Sequence, residues 1–182
     1  MECRRTLRAG VDFGTSTMKI VIRDYDDRNQ RAFVVTGDGE HASEYRIPSC
    51  VAVGGGRLLF GWKARDKENV PGWTVIDSIK IKTLVPNRFT PDERETNCEL
   101  TLAEVATLVV AAAIQLVHVR ATAYCAKHGA VPVVWTILGA PVGVLDKQGP
   151  ASDCVRMARL GAQVARVLGN SLLEDGMDVR DA

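Results

Sequence analysis

Residues 9–24 read AGVDFGTSTMKIVIRD and contain two strand-like runs joined by a short turn. From Thr17 to Asp24, apolar side chains alternate with polar ones, which is the pattern of a strand with one buried face. A third run, Arg31–Val35, follows a polar connection. Together with the first run, Arg8–Gly14, the pattern predicts an antiparallel meander of three strands.

The turn between the first two strands carries residues that suit phosphate binding. Asp12 precedes Gly14 and three consecutive hydroxyls, Thr15, Ser16 and Thr17. A carboxylate at a strand end is costly to bury without a cation or hydrogen bonds, and a tight turn directs several N–H groups toward one anion. Asp12 then lies where a Mg²⁺, reached through water, would bridge to the phosphates. A plain hairpin is the alternative, because Gly, Ser and Thr are common in turns.

The second half of the chain predicts a helix, a strand and another helix. Thr101 and Glu104 form a capping box before a helix from about Leu102 to His128, whose apolar residues recur in one stripe. Val131–Leu138 is apolar on both faces, which is typical of a central parallel strand. The second helix is predicted from about Asp153 to Leu168.

A polar, irregular region separates the two halves. Ile47–Val53 and Arg57–Phe60 flank three glycines and predict a hairpin. A short helix is expected within Gly61–Asn69, and Val75–Leu84 fits either a strand or a helix.

This order of elements predicts an α/β fold with an inserted subdomain. Residues 1–36 and 98–182 would form the core, and residues 37–97 would form the polar insert.

Composition narrows the class of protein. Hydrophobic residues make up 46% of the 182 residues and charged residues 25%, as in globular proteins. The net charge of +1 gives no electrostatic reason to expect a nucleic acid or an anionic membrane as partner. Five widely spaced cysteines without a CxxC pair suit a reducing cytosol. No apolar signal segment follows Met1, and the apolar runs carry polar residues or are broken by proline and glycine, so we predict a cytoplasmic protein without a membrane span.

The segment AGVDFGTSTMKIVIRD resembles the first phosphate-binding motif of the actin, sugar-kinase and 70-kilodalton heat-shock chaperone superfamily of ATPases. Residues 47–53 (IPSCVAV) and 60–64 (FGWKA) are similar to a stretch shared by the chaperones and the bacterial actin-like filament proteins. The resemblance covers about residues 8–170 and is strongest at 10–24. It implies a ribonuclease-H-like half-fold in which three antiparallel strands precede helix, strand and helix.

The resemblance also implies roles for individual residues. Asp12 would organise the water-coordinated Mg²⁺, and Gly14, Thr15, Ser16 and Thr17 would hold the β- and γ-phosphates of ATP. Asp77-Ser78-Ile79-Lys80 resembles the segment that supplies the catalytic lysine of the chaperones, so Lys80 would stabilise charge on the γ-phosphate. Lys82 is a rival, because the alternation of Ile79 and Ile81 in a strand would place both lysines on one face. A solvated strand face is the alternative for each lysine.

Two features of the superfamily do not appear in the sequence. The first is the second lobe, which normally supplies an Asp-x-Gly-x-Gly loop and a glycine-rich adenosine site. The second is the last strand of the first lobe, which should begin near Leu172, where the sequence is instead polar. The resemblance therefore implies an incomplete lobe that needs a second lobe or a downstream chain. We expect weak Mg-ATP binding and negligible turnover by the chain alone, and self-association through the open edge of Val131–Leu138.

Three other functions stay open alongside the chaperone-like ATPase lobe. A bacterial actin-like filament ATPase would share both quoted stretches. A sugar or small-molecule kinase would share only the opening motif and would require a base aspartate, and none stands out. A non-catalytic binding module would keep the fold without hydrolysis.

Overall fold

The computed structural model describes residues 3–37, 39–84, 100–139, 150–168 and 177–178. The strands are β1 (Arg4–Phe13), β2 (Thr17–Asp24), β3 (Ala32–Val34), β4 (Ile47–Pro48), β5 (Val51–Gly54), β6 (Arg57–Phe60), β7 (Trp73–Ile76), β8 (Val131–Gly139) and β9 (Met177–Asp178). The helices are α1 (Trp62–Arg65), α2 (Ile79–Leu84), α3 (Leu102–Ala126) and α4 (Pro150–Leu168). The last strand expected near Leu172 lies outside the described residues.

A mixed sheet with strand order β3-β2-β1-β8 forms the first layer, and β4 also pairs with β2. The antiparallel pair β1–β2 runs in register from Leu7 opposite Asp24 to Phe13 opposite Met18. The parallel pair β1–β8 ends with Asp12 opposite Gly139. These pairings confirm the predicted meander and the predicted parallel strand, because alternating apolar residues place one face of each strand in the core.

Helix α3 packs on one face of this sheet, and α4 packs against α3. The capping box is confirmed, since the Thr101 N–H donates to Glu104 Oε2 at 2.7 Å and the Glu104 N–H donates to Thr101 Oγ1 at 3.3 Å. The single apolar stripe is wrong, because α3 lies between the sheet and α4 and buries residues around most of its circumference. By length and composition α3 could cross a membrane, but 61% of its most apolar stretch is buried inside the protein.

The opposite face of the sheet is exposed along β8, so the expectation that this strand is buried on both faces is wrong for the described residues. Trp135 and Ile137 are 64% and 63% exposed, whereas Val134 and Leu138 pack against the core on the α3 side. Of the described strands, only β1 pairs with β8. One edge and one face of the strand therefore have no cover from described residues.

A second, antiparallel sheet has the order β7-β5-β6-β9. The β5–β6 pairing confirms the predicted hairpin, with Gly55 and Gly56 at positive φ in its turn. The ambiguous segment Val75–Leu84 contains the end of a strand and a helix, since β7 precedes α2. Strand β9, from the C-terminal part of the chain, pairs with β6 and so belongs to this second sheet, whereas β1, from the N-terminal part, belongs to the first.

Candidate functional site

Asp12 lies at the end of β1, where the carboxyl ends of the parallel strands β1 and β8 meet. Its cross-strand neighbours are Lys19 on β2 and Gly139 on β8. The Asp12 side chain is exposed, and no hydrogen bond or ion pair joins its carboxylate to another described residue. Ligands of α/β sheets commonly bind beyond the carboxyl ends of the strands. Gly139 places no side chain beside Asp12 on the β8 side.

The turn after Asp12 is closed by one backbone hydrogen bond. The Gly14 N–H donates to the Thr17 carbonyl oxygen at 3.1 Å. A Cβ atom on Gly14 would lie 2.3 Å from that oxygen, so the turn in this form admits only glycine. The N–H groups of Thr15 and Ser16 donate to no acceptor in the described part of the chain. Two amides beside the Asp12 carboxylate are therefore available to an anion.

Strand β4 supports the turn from behind. The Ser49 N–H donates to the Ser16 carbonyl oxygen at 2.9 Å, and Pro48 is the register partner of Thr17. Ser49 is fully buried, and its hydroxyl oxygen has no hydrogen-bond partner among the described residues. Sequence reasoning assigned no role to Ser49. The Pro-Ser pair was visible in the sequence, but its pairing with a turn some thirty positions earlier along the chain is not a local signal.

The two candidate lysines do not share a face. Both lie on α2, a helix, so the argument from strand alternation is wrong: a step of two residues rotates by about 200° around a helix axis. Lys80 follows the buried Ile79, and α2 packs on α3. No hydrogen bond or ion pair in the described residues joins the Lys80 side chain to Asp12 or to the turn. Asp12 and residues 14–17 are neighbours at the end of β1, and the assignment of Lys80 to the same site stays a prediction.

A buried carboxylate occupies the other end of the β1–β2 hairpin. Asp24 is fully buried, and its Oδ2 atom lies 2.7 Å from Arg5 Nε and accepts a 2.9 Å hydrogen bond from the Tyr124 hydroxyl. Its Oδ1 atom accepts from the N–H groups of Asp26 and Asp27 at 3.0 and 3.2 Å. Burial raises the pKa of Tyr124, and the hydrogen bond to Asp24 acts in the same direction. This arrangement satisfies a buried charge and leaves no open side for a ligand.

A polar cluster links the segment after β3 to α1. The His41 Nδ1 and Nε2 atoms lie 3.2 Å from Glu44 Oε1 and 3.2 Å from Asp66 Oδ1. Glu44 Oε2 accepts a 2.8 Å hydrogen bond from the Trp62 indole N–H. The hydrogen bond with Glu44 raises the pKa of His41, and the one with Asp66 raises it further. When it is protonated, the imidazole donates to both carboxylates, and the cluster is then an ion-paired link between two segments.

Thiols and clustered metal ligands are two further kinds of reactive group to consider in the described residues. Burial raises the pKa of the Cys50 thiol to about 11, which disfavours a thiolate nucleophile. The same part of the chain contains no cluster of three or more His, Cys, Asp or Glu side chains that could hold a metal ion by themselves. A Mg²⁺ held through one carboxylate, waters and phosphate oxygens needs no such cluster.

The arrangement around Asp12 can place a cation and an anion side by side. The carboxylate is suited to the cation, and the Thr15 and Ser16 amides are suited to the anion. No protein-family model matches this chain, and no curated protein matches it. The superfamily resemblance accordingly stays a prediction from residues 9–24 and 47–64.

Proposed function

We propose that the turn formed by Gly14, Thr15, Ser16 and Thr17 binds the phosphates of Mg-ATP, in the first lobe of an ATPase related to the heat-shock chaperones. The observation that carries the proposal is the unpartnered Asp12 carboxylate beside the available amides of Thr15 and Ser16. The negatively charged phosphate oxygens of a nucleotide can accept hydrogen bonds from those amides, and the bound magnesium ion can pair with the Asp12 carboxylate.

The residues present fit a magnesium ion held through water. Asp12 supplies a hard oxygen ligand at an exposed position, and Mg²⁺ usually retains several waters beside one or two carboxylates. When bound, the ion neutralises charge on the phosphates. The Thr15 and Ser16 amides orient the phosphate oxygens, and the Ser49 N–H keeps the Ser16 peptide in place through its carbonyl.

The architecture is compatible with the proposed half-fold. The order β3-β2-β1-β8, with β8 parallel to β1 and with α3 on one face, is the arrangement that the resemblance implies. In the described residues Asp12 and the turn offer a single wall to a nucleotide. We infer that a second lobe, on a downstream segment or another chain, supplies the base and ribose contacts. Affinity for Mg-ATP is then weak and turnover negligible without that lobe.

Lys80 remains the proposed phosphate lysine and Lys82 its rival. Because α2 is a helix, the two side chains leave it in roughly opposite directions, and only one can turn toward the phosphates. Lys80→Ala and Lys82→Ala therefore separate the two: the variant that weakens binding of magnesium pyrophosphate identifies the lysine. Equal affinities in both variants would remove the lysine from the proposal.

Backbone amide NMR of the chain during titration with magnesium pyrophosphate tests the proposal directly. We expect saturable shifts at Gly14, Thr15 and Ser16, and at least a tenfold weaker affinity in Asp12→Asn. Glu40→Gln is the matched control, because it also removes one exposed carboxylate, and it should bind as the unchanged protein does. Shifts spread over the surface without saturation, or an unchanged affinity in Asp12→Asn, would overturn the proposal.

The open edge of β8 favours a second candidate, a bacterial actin-like filament ATPase. Among the described residues, the unpaired strand edge beside the exposed Trp135 and Ile137 offers both backbone hydrogen bonds and apolar contact to another copy. Sedimentation with and without Mg-ATP distinguishes the two. Nucleotide-dependent pelleting that is lost in Trp135→Ser selects the filament, and a soluble species under both conditions selects the chaperone-like lobe.

A further inference from the structure

A cavity of about 360 Å³ lies between α3, the β2–β4 pair and the segment that joins β6 to α1. It is separate from the turn at residues 14–17. Its lining residues are Met18, Glu40, His41, Ile47, Phe60, Gly61, Trp62, Lys63, Asp66, Val109, Ala112, Ala113, Leu116 and Arg120. A volume above 300 Å³ with mostly hydrophobic walls and a few polar groups is typical of a small-molecule site.

Small residues create the space. Four apolar residues of α3 line the cavity. Ala112 and Ala113 have only a methyl group each, whereas Val109 and Leu116 have larger side chains. On the opposite wall Gly61 adopts φ 63°, and a Cβ atom there would lie 3.3 Å from Ile47 Cγ2. Larger side chains at Ala112 or Ala113 would therefore take up part of the cavity.

The polar part of the lining is electrically balanced. The two carboxylates, Glu40 and Asp66, are accompanied by two cations, Lys63 and Arg120, and His41 Nε2 lies 3.2 Å from Asp66 Oδ1. No single sign of charge therefore dominates this part of the cavity. A charged ligand would gain little there and would lose hydration on entering the apolar interior.

We propose that this cavity binds a small, neutral, largely apolar molecule that carries an aromatic or alicyclic ring. The His41 and Trp62 rings, which both line the cavity, stack with their centroids 5.8 Å apart at an angle of 22°, so the lining includes two packed aromatic rings. A ligand ring can make offset or edge-on contact with such rings, and the small side chains of Ala112 and Ala113 leave volume for it in the cavity. This site does not depend on nucleotide binding.

Fluorescence titration with N-phenylnaphthylamine, a neutral apolar dye, tests the site. Ala112→Phe fills the cavity from α3, and Ala126→Phe makes the same change at an exposed position of the same helix, outside the lining. We expect saturable binding by the unchanged protein and by Ala126→Phe, and at least a tenfold weaker affinity in Ala112→Phe. Equal affinity in the two variants, or no saturable binding by the unchanged protein, would overturn the proposal.

A second measurement covers the case in which Ala112→Phe fails to fold. Trp62 lines the cavity, whereas Trp135 lies on the uncovered sheet face. In one variant Trp73 and Trp135 are replaced by Phe, and in the other Trp62 and Trp73 are replaced. Para-bromobenzyl alcohol, which quenches tryptophan on contact, should quench Trp62 with saturation and Trp135 without it. Unsaturable quenching of Trp62 would contradict the site even if dye binding were observed.

Discussion

Asp12 and Asp24 lie at opposite ends of the same β1–β2 hairpin, and their surroundings are opposite. Asp24 is fully buried and contacts a guanidinium, a phenol and two backbone amides. Asp12 is exposed, and its carboxylate forms no hydrogen bond or ion pair with a described residue. The buried end needs those partners because an uncompensated charge in the interior is costly. The open end keeps its carboxylate and its turn amides available, as a binding site for a charged ligand requires.

The largest effect is expected from removing the buried carboxylate. Asp24→Ala leaves Arg5 and the Tyr124 hydroxyl without their acceptor, so the free energy of unfolding should fall by about 3–5 kcal/mol. Asp12→Ala, the same change at the open end, should alter it by less than about 0.5 kcal/mol. Urea unfolding followed by circular dichroism measures both. If the free energy of unfolding fell by a similar amount in both variants, the buried and exposed aspartates would not differ in their contribution to stability, and the prediction would be wrong.

A smaller effect is expected from the partner of Asp24 on α3. Tyr124→Phe removes only the hydroxyl that donates to Asp24 at 2.9 Å, and hydrogen bonds to charged groups contribute about 1.5–3 kcal/mol. Tyr25→Phe removes the same atom from an exposed ring and should change stability by less than about 0.5 kcal/mol. If the two urea midpoints coincide, the Asp24 network is held by Arg5 and the backbone alone.

Replacing Gly14 in the turn and Gly10 within β1 by alanine compares the tight turn with the open strand. Gly14→Ala brings a methyl group against the Thr17 carbonyl oxygen, so the turn must open, at a cost of about 1–2 kcal/mol and with loss of the pyrophosphate-dependent NMR shifts. Gly10→Ala meets nothing within 4 Å and should leave stability unchanged or raise it by up to about 1 kcal/mol. Retained shifts in Gly14→Ala would show that the binding turn does not need its present form.

The smallest effect is expected from His41, which contacts Glu44 and Asp66 near the protein surface. These contacts are compared with the buried charge network of Asp24. The pKa of His41 is raised in the folded protein, so its contribution is fully present below the unfolded value of about 6.5 and is lost as pH rises through the folded pKa. His41→Asn should therefore lower the melting temperature more at about pH 6 than at about pH 8.5. A deficit independent of pH would mean that packing on Trp62, and not charge, is what His41 contributes.

Sequence reasoning succeeded where the signal was local. The β1–β2 hairpin, the capping box of Thr101 and Glu104, and the hairpin at Gly54–Gly56 depend on residues within a few positions of one another. It failed where distant elements had to be placed. Strand β8 was expected to be covered on both faces, although Trp135 is exposed, and α3 was expected to have one apolar stripe, although it is buried on several sides.

The candidate site divides in the same way. Asp12 and the turn residues are neighbours along the chain, so their grouping followed from the pattern alone. The contact of Ser49 with the turn depends on β4 pairing with β2, and the proposed role of Lys80 depends on where α2 packs. The alternation of Ile79 and Ile81 also gave a wrong relation between Lys80 and Lys82, because so short an apolar pattern does not distinguish a strand from a helix.

The order of residues along the chain was enough to predict the alternating strands, the two hairpin turns and the helix cap, since these depend on dihedral preferences and on spacing over one or two turns. Which carboxylate is buried and which is open depended on packing. Tyr124 reaches Asp24 across a separation of 100 residues, and only the docking of α3 onto the sheet brings them together. Burial, and with it the difference between a structural aspartate and an available one, is a property of those long-range contacts.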